Sequence, residues 1–378
     1  MENLLSDTEV IERIFHHADN KTTDVGDAIW REPTEHYHSP ERFAAELELL
    51  RRLPVPFCPS AALPDAGSYI ARDTAGVPLL VTRGEDGTVR GFRNACRHRG
   101  MAVADGSGCA KAFVCPYHSW TYGLDGTLKH IPGPEGFPGL DQSNHGLVPV
   151  HHVEERAGLV IITQDEPVAT NTLADIPGVL SADQMHFDTL ELVDEANWKL
   201  IAELSMEGYH IKGLHNRTFY PYGFDNLNVV ETYGPNSRIT FPFRRIEKLR
   251  DIPPEQRRID GMVAYAYQMF PNTHISKLAS HSMLIIAEPL SPSETRWIIY
   301  RLSNKDAEKK DNGSAEEAKR DADFIENSGL NEDRHAARTI QAGLATGAND
   351  HFTFGRFEKA LAHFHANLRD YLALLDAK

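Results

Sequence analysis

The sequence predicts an α+β protein in which a smaller antiparallel β domain precedes a larger domain that combines an antiparallel sheet with helices. Between residues 41 and 165, short strand-like runs alternate with turns rich in glycine and aspartate. From residue 166 to residue 378, longer strand patterns are followed by helical periodicity. Residues 1–40 mix helical patterns with polar turns, so we predict a helical extension there.

The composition is that of an ordinary globular protein. Of the 378 residues, 41% are hydrophobic and 25% are charged. The net charge of −15 argues against a nucleic-acid partner, because phosphates require clustered Lys and Arg. The first residues are acidic rather than basic, and no apolar stretch approaches the roughly 20 residues that span a bilayer. We therefore expect a cytoplasmic protein with neither membrane nor nucleic-acid partners.

Two hairpins are predicted in the smaller domain. LLVTR and TVRGF flank GEDG, and TYGL and TLKH flank Asp125-Gly126. Asp-Gly pairs tolerate the positive φ angles that tight hairpin turns require. These strands are expected to frame two loops in which cysteine and histidine alternate.

The loops carry the most specific motif of the chain: Cys96-x-His98, sixteen further residues, then Cys115-x-x-His118. Two thiolates and two imidazoles can hold zinc, but zinc sites usually place two to four residues between the first two ligands. The spacing here resembles the Rieske [2Fe–2S] centre instead. In that centre two cysteines hold one iron and two histidines hold the other.

Two residues beside these ligands narrow the resemblance. Met101 and Tyr117 stand where the Rieske proteins of cytochrome bc complexes carry a pair of disulfide-bonded cysteines. The resemblance therefore implies the kind of cluster that is found in oxygenases and their ferredoxins.

A helix is predicted to begin at NWKLIAELSMEGYHIKGLH and to end near Gly213. VVETYGPNSRITFPF then predicts a hairpin, and MVAYAYQMF, SMLIIAEPL and TRWIIYRLS predict further strands of an antiparallel meander. Helices are expected at about 316–328, 332–344 and 355–376.

The predicted helix carries a second ligand motif, Glu207-x-x-His210-x4-His215. On an ideal helix Glu207 and His210 share a face, and a bend at Gly213 would bring His215 back toward them. Two histidines and one distant carboxylate form the facial triad of non-haem Fe(II) oxygenases. Taken alone, a helical pair of histidines is also compatible with a purely structural role.

With both motifs in place, residues 40–377 resemble the catalytic α subunit of Rieske non-haem iron oxygenases. The resemblance implies a Rieske domain followed by a helix-grip (START-like) catalytic domain, with a [2Fe–2S] cluster and a mononuclear Fe(II). The family motif Asp/Glu-x-x-His-x4-His matches Glu207, His210 and His215. The third iron ligand is expected to be Asp333, with Glu332 as its rival and a helix-capping acid as the alternative.

The resemblance also implies how the protein works. In this family the subunits form a head-to-tail ring, usually a trimer, and Glu207 matches the carboxylate that bridges to a cluster histidine, here His118, of the neighbouring subunit. Glutamate at this position occurs in some members that act on quaternary amines. The implied activity is O₂-dependent hydroxylation of an aromatic or other small organic substrate, with N- or O-demethylation as the alternative. Electrons would come from NAD(P)H through a separate reductase, possibly with a ferredoxin.

Two other functional classes stay open at this point. A Rieske electron carrier would need only the first ligand set, and a zinc-stabilised ligand-binding module would need no redox chemistry. Two interpretations of Glu203 also stay open: it orients a ligand histidine, or it is an exposed helix acid. His363 and His365 are interpreted as packing or surface residues.

Overall fold

The computed structural model describes residues 4–304 and 312–376. Its α-helices are α1 Asp7–Asn20, α2 Pro40–Arg52, α3 Trp198–Glu203, α4 Asn312–Ile325, α5 Asn331–Leu344 and α6 Lys359–Asp376. Its strands are β1 Trp30–Pro33, β2 Val55–Pro59, β3 Ser68–Thr74, β4 Val77–Arg83, β5 Val89–Arg93, β6 Gly106–Cys109, β7 Phe113–Val114, β8 Thr121–Tyr122, β9 Leu128–His130, β10 His152–Arg156, β11 Leu159–Thr163, β12 His186–Asp194, β13 Val229–Tyr233, β14 Asn236–Pro242, β15 Val263–Met269, β16 Thr273–Lys277, β17 His281–Ser291, β18 Glu294–Ser303 and β19 His351–Phe354.

The chain folds into two compact units. The small unit consists of Leu50–Ala169 and Leu180–Ala182. The large unit takes the residues up to Leu49, then Thr170–Val179, and the chain from Asp183 onward. The segment predicted as an N-terminal extension thus belongs to the large unit.

The small unit is built from three antiparallel sheets, with strand orders β5-β4-β3-β6, β7-β8-β9 and β10-β11-β2. Both predicted hairpins are confirmed, because β4 pairs with β5 and β8 pairs with β9. The turn of the second hairpin needs its glycine for two reasons. Gly126 has φ +78°, and a Cβ there would lie 2.4 Å from the Phe92 ring. Trp120 and Tyr122 are buried in the same core as the predicted ligands Cys96 and Cys115.

The large unit contains a seven-stranded antiparallel sheet with strand order β12-β18-β17-β16-β15-β14-β13. From β13 to β18 each strand pairs with the next in sequence, which confirms the predicted meander. β12 adds to its far edge by pairing with β18. The long strands β18 and β17 follow β12 in the sheet and pair with each other, with Ala287 opposite Trp297. A separate two-stranded sheet joins β1 to β19, whose sequences lie at opposite ends of the chain.

The prediction that one helix carries both Glu207 and His210 is wrong. α3 ends at Glu203, and residues 204–222 form a series of turns. The Glu207 carboxylate accepts hydrogen bonds from the backbone N–H groups of Tyr209 and His210. Such local side-chain bonds compete with helical ones and start a new turn. That turn then holds helix-like bonds from Leu214 N–H to the His210 carbonyl and from His215 N–H to the Ile211 carbonyl.

The three late helices are confirmed, with shifted ends, as α4, α5 and α6; a short π-helical segment, Glu326–Leu330, links α4 to α5. Within residues 4–304 and 312–376, every helix is too short or too polar to cross a lipid bilayer.

Candidate metal centres

The two loops of the small unit share one backbone design. In the first, Cys96 N–H donates to the Met101 carbonyl and Gly100 N–H donates back to the Cys96 carbonyl, both at 2.8 Å. In the second, Cys115 N–H donates to the Trp120 carbonyl at 2.8 Å, and Ser119 N–H donates to the Cys115 carbonyl at 2.9 Å. Each loop is therefore closed by a reciprocal pair of backbone bonds that begins at its cysteine.

The four predicted cluster ligands lie on these two loops, as two cysteines that share one buried core and two histidines whose rings are neighbours. Cys96 and Cys115 are buried and free of disulfide bonds, and the rings of His98 and His118 lie 4.6 Å apart. His98 stacks on Trp120, with 5.0 Å between ring centroids and 9° between planes. In the described part of the chain, the buried Nδ1 of His98 has no hydrogen-bond partner. A buried imidazole nitrogen without a hydrogen-bond partner, on a ring beside a second imidazole, fits a histidine ligand of an iron–sulfur cluster.

Tyr122 is a residue of this site that the sequence did not single out. Its hydroxyl accepts a hydrogen bond from Arg97 N–H at 2.9 Å. The same hydroxyl lies 3.2 Å from Sγ of Cys96, so its own hydrogen is free to donate to the sulfur. Tyr122 follows the second ligand loop by a few residues, but tyrosine at this place is also an ordinary core residue.

In the large unit, ligand atoms of His210, His215 and Asp333 all lie within 4.8 Å of one another. Oδ1 of Asp333 is 2.9 Å from Nε2 of His215 and 3.7 Å from Nε2 of His210. Among the described residues it nevertheless has no hydrogen bond of acceptable angle. Two ring nitrogens and a carboxylate oxygen thus face one another without being bonded. This donor set fits a mononuclear iron held by two histidines and one carboxylate.

Each histidine of this triad also contacts a glutamate carboxylate through its Nδ1 atom. Nδ1 of His210 contacts Glu207, and Nδ1 of His215 lies 2.7 Å from Oε2 of Glu332. Thr218 also donates to Glu332, at 2.6 Å. Burial opposes ionisation of Glu332, but the hydrogen bonds from His215 and Thr218 outweigh it and hold its pKa below the usual value. Outer partners of this kind orient ligand histidines and fix their tautomers.

The neighbouring acids Glu332 and Asp333 therefore occupy different places. Asp333 faces Nε2 of both histidines, whereas Glu332 lies on the opposite side of the His215 ring. This placement agrees with the prediction of Asp333 as third ligand. Glu203 does not touch the triad, and it is buried rather than exposed; its hydrogen bonds go to Tyr37 and His365.

A cavity of about 220 Å³ opens onto the triad between the sheet and the turns that follow α3. Aromatic side chains supply much of its wall: Phe219, Phe224, Phe241, Phe243, Tyr265 and Trp297. Its neutral polar groups are Ser205, Asn228, His274 and Ser276. Among the residues that the structure describes, no Lys or Arg lines it.

His274 is the most polar group in this wall away from the triad. Its ring nitrogens lie 2.9 Å from Oγ of Ser205 and 2.8 Å from Oγ of Ser276. Burial lowers the pKa of His274 to about 3, so the imidazole is neutral at physiological pH. The wall of the cavity therefore offers uncharged hydrogen-bonding groups as well as the triad of His210, His215 and Asp333.

Two protein families match this chain. Residues 54–147 match the Rieske [2Fe-2S] domain, and residues 182–374 match the ring hydroxylating alpha subunit (catalytic domain). The two matches imply a Rieske [2Fe–2S] cluster and a mononuclear iron.

Relatives with known activities are similar over part of their length. The oxygenase subunit of carnitine monooxygenase from Escherichia coli K12 is 34% identical over 216 residues, 54% of this chain and 55% of that protein. The oxygenase subunit of glycine betaine monooxygenase from Chromohalobacter salexigens is 33% identical over 192 residues, 48% of this chain and 42% of that protein. The chain thus spans about half the length of these curated relatives.

Among solved structures, a quaternary ammonium Rieske monooxygenase in complex with an inhibitor superposes with a TM-score of 0.78. The superposition covers 91% of this chain and 96% of that chain, at 24% sequence identity. The likeness confirms the predicted fold class, in which a Rieske domain precedes a catalytic domain of helices and antiparallel sheet.

Proposed function

Since the chain belongs to the family of ring-hydroxylating α subunits, we propose that it is the terminal oxygenase of a Rieske system, which uses O₂ and reductase-delivered electrons to oxidise a small organic substrate. The observation that carries this proposal is the convergence of His210, His215 and Asp333 at the wall of a largely apolar cavity. An electron carrier needs neither the triad nor the cavity. A zinc-stabilised binding module needs no Rieske ligand set.

Ferrous iron in a triad of two histidines and one carboxylate supplies O₂ activation, because it keeps coordination positions open. The protein contributes the rest. Glu207 and Glu332 hold the rings of His210 and His215 in orientation, and the aromatic wall excludes water and places a substrate beside the triad.

For electron delivery we propose a homotrimer in which His118 of one subunit approaches Glu207 of the next. The geometry of Glu207 supports this role. Its carboxylate contacts His210, a predicted ligand, and its side chain keeps 13% of its surface exposed, so part of it is accessible to a neighbouring subunit. A separate reductase, with or without a ferredoxin, would reduce the cluster.

The cavity also indicates what kind of substrate it accepts. Aromatic faces suit either an apolar ring or an N-methylated cation, which they attract by cation–π interaction. An anionic group would find no Lys or Arg partner among the described lining residues. We therefore propose a neutral or cationic substrate, hydroxylated at carbon.

A second reaction, oxidative N-demethylation, has a specific observation in its favour. The relatives named above are carnitine and glycine betaine monooxygenases, and an aromatic wall beside acidic groups suits a quaternary ammonium group. Carnitine and glycine betaine also carry a carboxylate, for which this cavity shows no cationic partner among its described residues. A quaternary amine without a carboxylate fits it better.

The decisive experiment combines metal analysis with O₂ consumption. Purified protein should contain the iron of one cluster plus one further iron per chain. Together with a reductase and NADH, it should consume O₂ on addition of aromatic compounds, methoxyarenes or methylamines, and hydroxylated or demethylated products should accumulate. Cluster iron alone with no substrate-dependent uptake would instead identify an electron carrier, and colourless zinc protein would identify a binding module.

The role of Glu207 is tested separately with Glu207→Gln. The variant should keep both metals, yet oxidation of its reduced cluster after mixing with O₂ and substrate should slow by about 10–100-fold, the usual cost of losing an outer partner of a ligand. Unchanged cluster oxidation would remove Glu207 from the electron path.

A further inference from the structure

A line of titratable side chains runs through the large unit behind Glu207. It consists of His36, Glu32, His365 and Glu203, with Tyr37 beside its inner end; we call it the acid–histidine chain. Its members come from three distant parts of the sequence: β1 with the helical turn that follows it, the end of α3, and α6.

Neighbouring members of the chain are close enough to exchange protons. Nδ1 of His36 lies 2.6 Å from Oε1 of Glu32, and the same oxygen is 3.4 Å from Nδ1 of His365. Nε2 of His365 is 2.9 Å from Oε1 of Glu203. The Tyr37 hydroxyl donates to that oxygen of Glu203 at 2.7 Å. The contact between Glu32 and His365 is the longest and is not a hydrogen bond, because the buried Nδ1 of His365 has no hydrogen-bond partner among the described residues. A proton crosses this gap only when the His365 ring turns toward Glu32.

Burying these ionisable side chains costs free energy. Glu32, His365 and Glu203 are 4%, 2% and 8% exposed. Burial lowers the pKa of His365, but its hydrogen bond with Glu203 and the negative charges of Glu203 and Glu32 outweigh this and raise the pKa above the usual value. For Glu32, the hydrogen bonds from His36 and Trp30, together with the charge of nearby His365, likewise outweigh burial and hold the pKa well below its usual value. Buried ionic groups of this kind add little net stability compared with apolar residues of the same volume.

The other charged groups that face the chain are already paired. Nζ of Lys199 lies 5.3 Å from the centre of the Tyr37 ring but binds both carboxylate oxygens of Glu46 at 2.8 Å. Arg42 completes that pair through a 2.9 Å contact with Glu46. The Lys199–Glu46 pair therefore screens the chain without being part of it.

The two ends of the chain reach different places. At the outer end, the His36 side chain is 29% exposed, so it can exchange protons with solvent. At the inner end, Met206 N–H donates to the Glu203 carbonyl at 3.0 Å, and this turn leads directly into Glu207. Burial, together with the negative charges of Glu207 and Glu203, raises the pKa of the Glu358 carboxyl to about 7. A carboxyl with such a pKa can accept a proton and release it near neutral pH.

We propose that the acid–histidine chain conducts protons from solvent at His36 to the carboxyl groups beside Glu207. The inference rests on the proposed oxygenase function. Insertion of one oxygen atom of O₂ into a C–H bond, with reduction of the other atom to water, consumes two protons along with the two electrons that the reductase supplies. The protons must enter a site that the cavity wall shields from bulk water.

In each transfer only N–H and O–H bonds change. The His36 imidazolium releases its Nδ1 proton to the Glu32 carboxylate, and Glu32 passes a proton to Nδ1 of His365. His365 at the same time releases its Nε2 proton to Glu203. No electron moves along this path, and His36 is protonated again from solvent.

Two variants and a matched control test the proposal. Glu32→Gln and His36→Ala interrupt the chain, while Glu35→Gln removes an exposed carboxylate from the same short helical turn. In weak buffer, product formation by the two chain variants should fall by up to about 10²-fold, the scale of general acid–base contributions, and its solvent deuterium isotope effect should rise. Added imidazole should restore His36→Ala, whose position is open to solvent, but not Glu32→Gln.

A second measurement does not depend on activity. In the metal-free protein, ¹⁵N NMR reports on the protonation of both ring nitrogens of His365, and Glu32→Gln should shift its Nδ1 signal while Glu35→Gln should not. Wild-type-like rates and isotope effects in both chain variants would overturn the proposal. Loss of iron or of folded protein in these variants would also overturn it, in favour of a structural role. Failure of the proposed function is recognised separately, as a wild-type protein without substrate-dependent O₂ uptake.

Discussion

Glu332 accepts a hydrogen bond from Nδ1 of His215 at 2.7 Å. Since an imidazole that donates from Nδ1 presents a lone pair at Nε2, this bond selects the tautomer that can bind a metal. Glu332 is therefore an orienting partner of the triad, while the next residue along the chain supplies a carboxylate to it.

We expect Glu332→Gln to lower the affinity for the mononuclear iron by about 10–100-fold, because the His215 ring loses its charged partner. Asp333→Asn should cost more, since it removes one of the three predicted ligands. Iron retained during dialysis against a chelator measures both effects. Glu316→Gln on the exposed side of α4 is the control, and equal losses in Glu332→Gln and Asp333→Asn would contradict the division of roles.

The Tyr122 hydroxyl predicts a change in cluster potential. Hydrogen bonds to the sulfurs of an iron–sulfur cluster stabilise its reduced, more negative form. Tyr122→Phe removes the bond to Cys96, so its midpoint potential should fall below that of the wild type in a redox titration followed by EPR. Tyr69→Phe, which alters a hydroxyl of the same unit that bonds to the Asp105 carbonyl, should leave the potential unchanged. Equal potentials in all three proteins would show that Tyr122 does not act on the sulfur.

The buried Lys199–Glu46 pair predicts an asymmetric loss of stability. Glu46→Leu leaves the fully buried Lys199 ammonium without its partner, which should cost about 3–5 kcal/mol. Lys199→Met should cost less, because Glu46 still accepts from Trp198 at 2.8 Å and from Arg42 at 2.9 Å. Urea-denaturation midpoints measure both changes. The double variant should be more stable than Glu46→Leu alone, and strictly additive losses would contradict the pairing.

His274 predicts how stability depends on pH. Burial lowers its folded-state pKa to about 3 from the ordinary 6.5, so protonation favours the unfolded chain. Stability is complete above about pH 6.5 and declines as the pH falls toward 3. Between pH 7 and pH 5 this histidine should account for about 2 kcal/mol of lost stability. His274→Leu should be less sensitive to acid over that range in urea denaturation, whereas His16→Leu, at an exposed position, should behave like the wild type.

Much of the fold and both metal centres could be predicted from local patterns. The predicted cluster ligands lie in two loops, and within each loop the cysteine and the histidine are only two or three positions apart. The hairpin turns could be predicted because they contain Asp-Gly pairs. The meander could be predicted because each of its strands pairs with its neighbour in sequence. His210 and His215 were found because their spacing is local as well.

What could not be predicted depends on contacts between distant segments. The pairing of β1 with β19 joins residues more than 300 positions apart, and nothing in either short strand specifies the other. The acid–histidine chain has the same origin: His365 was interpreted as a packing or surface residue, and only the fold places Glu203 and Glu32 against it. The early end of α3 was missed because periodicity does not show that Glu207 bonds to the backbone ahead of it.

The reciprocal backbone bonds in the two cysteine loops bear on how the protein is assembled. Small zinc domains fold only as they take up metal, because nothing else holds their ligands in place. Here each loop is shaped by its own main chain and rests on a core that contains Trp120 and Tyr122. Main-chain bonds and apolar packing thus set the shape of both loops without the metal, and we expect the chain to take up its cluster after it has folded.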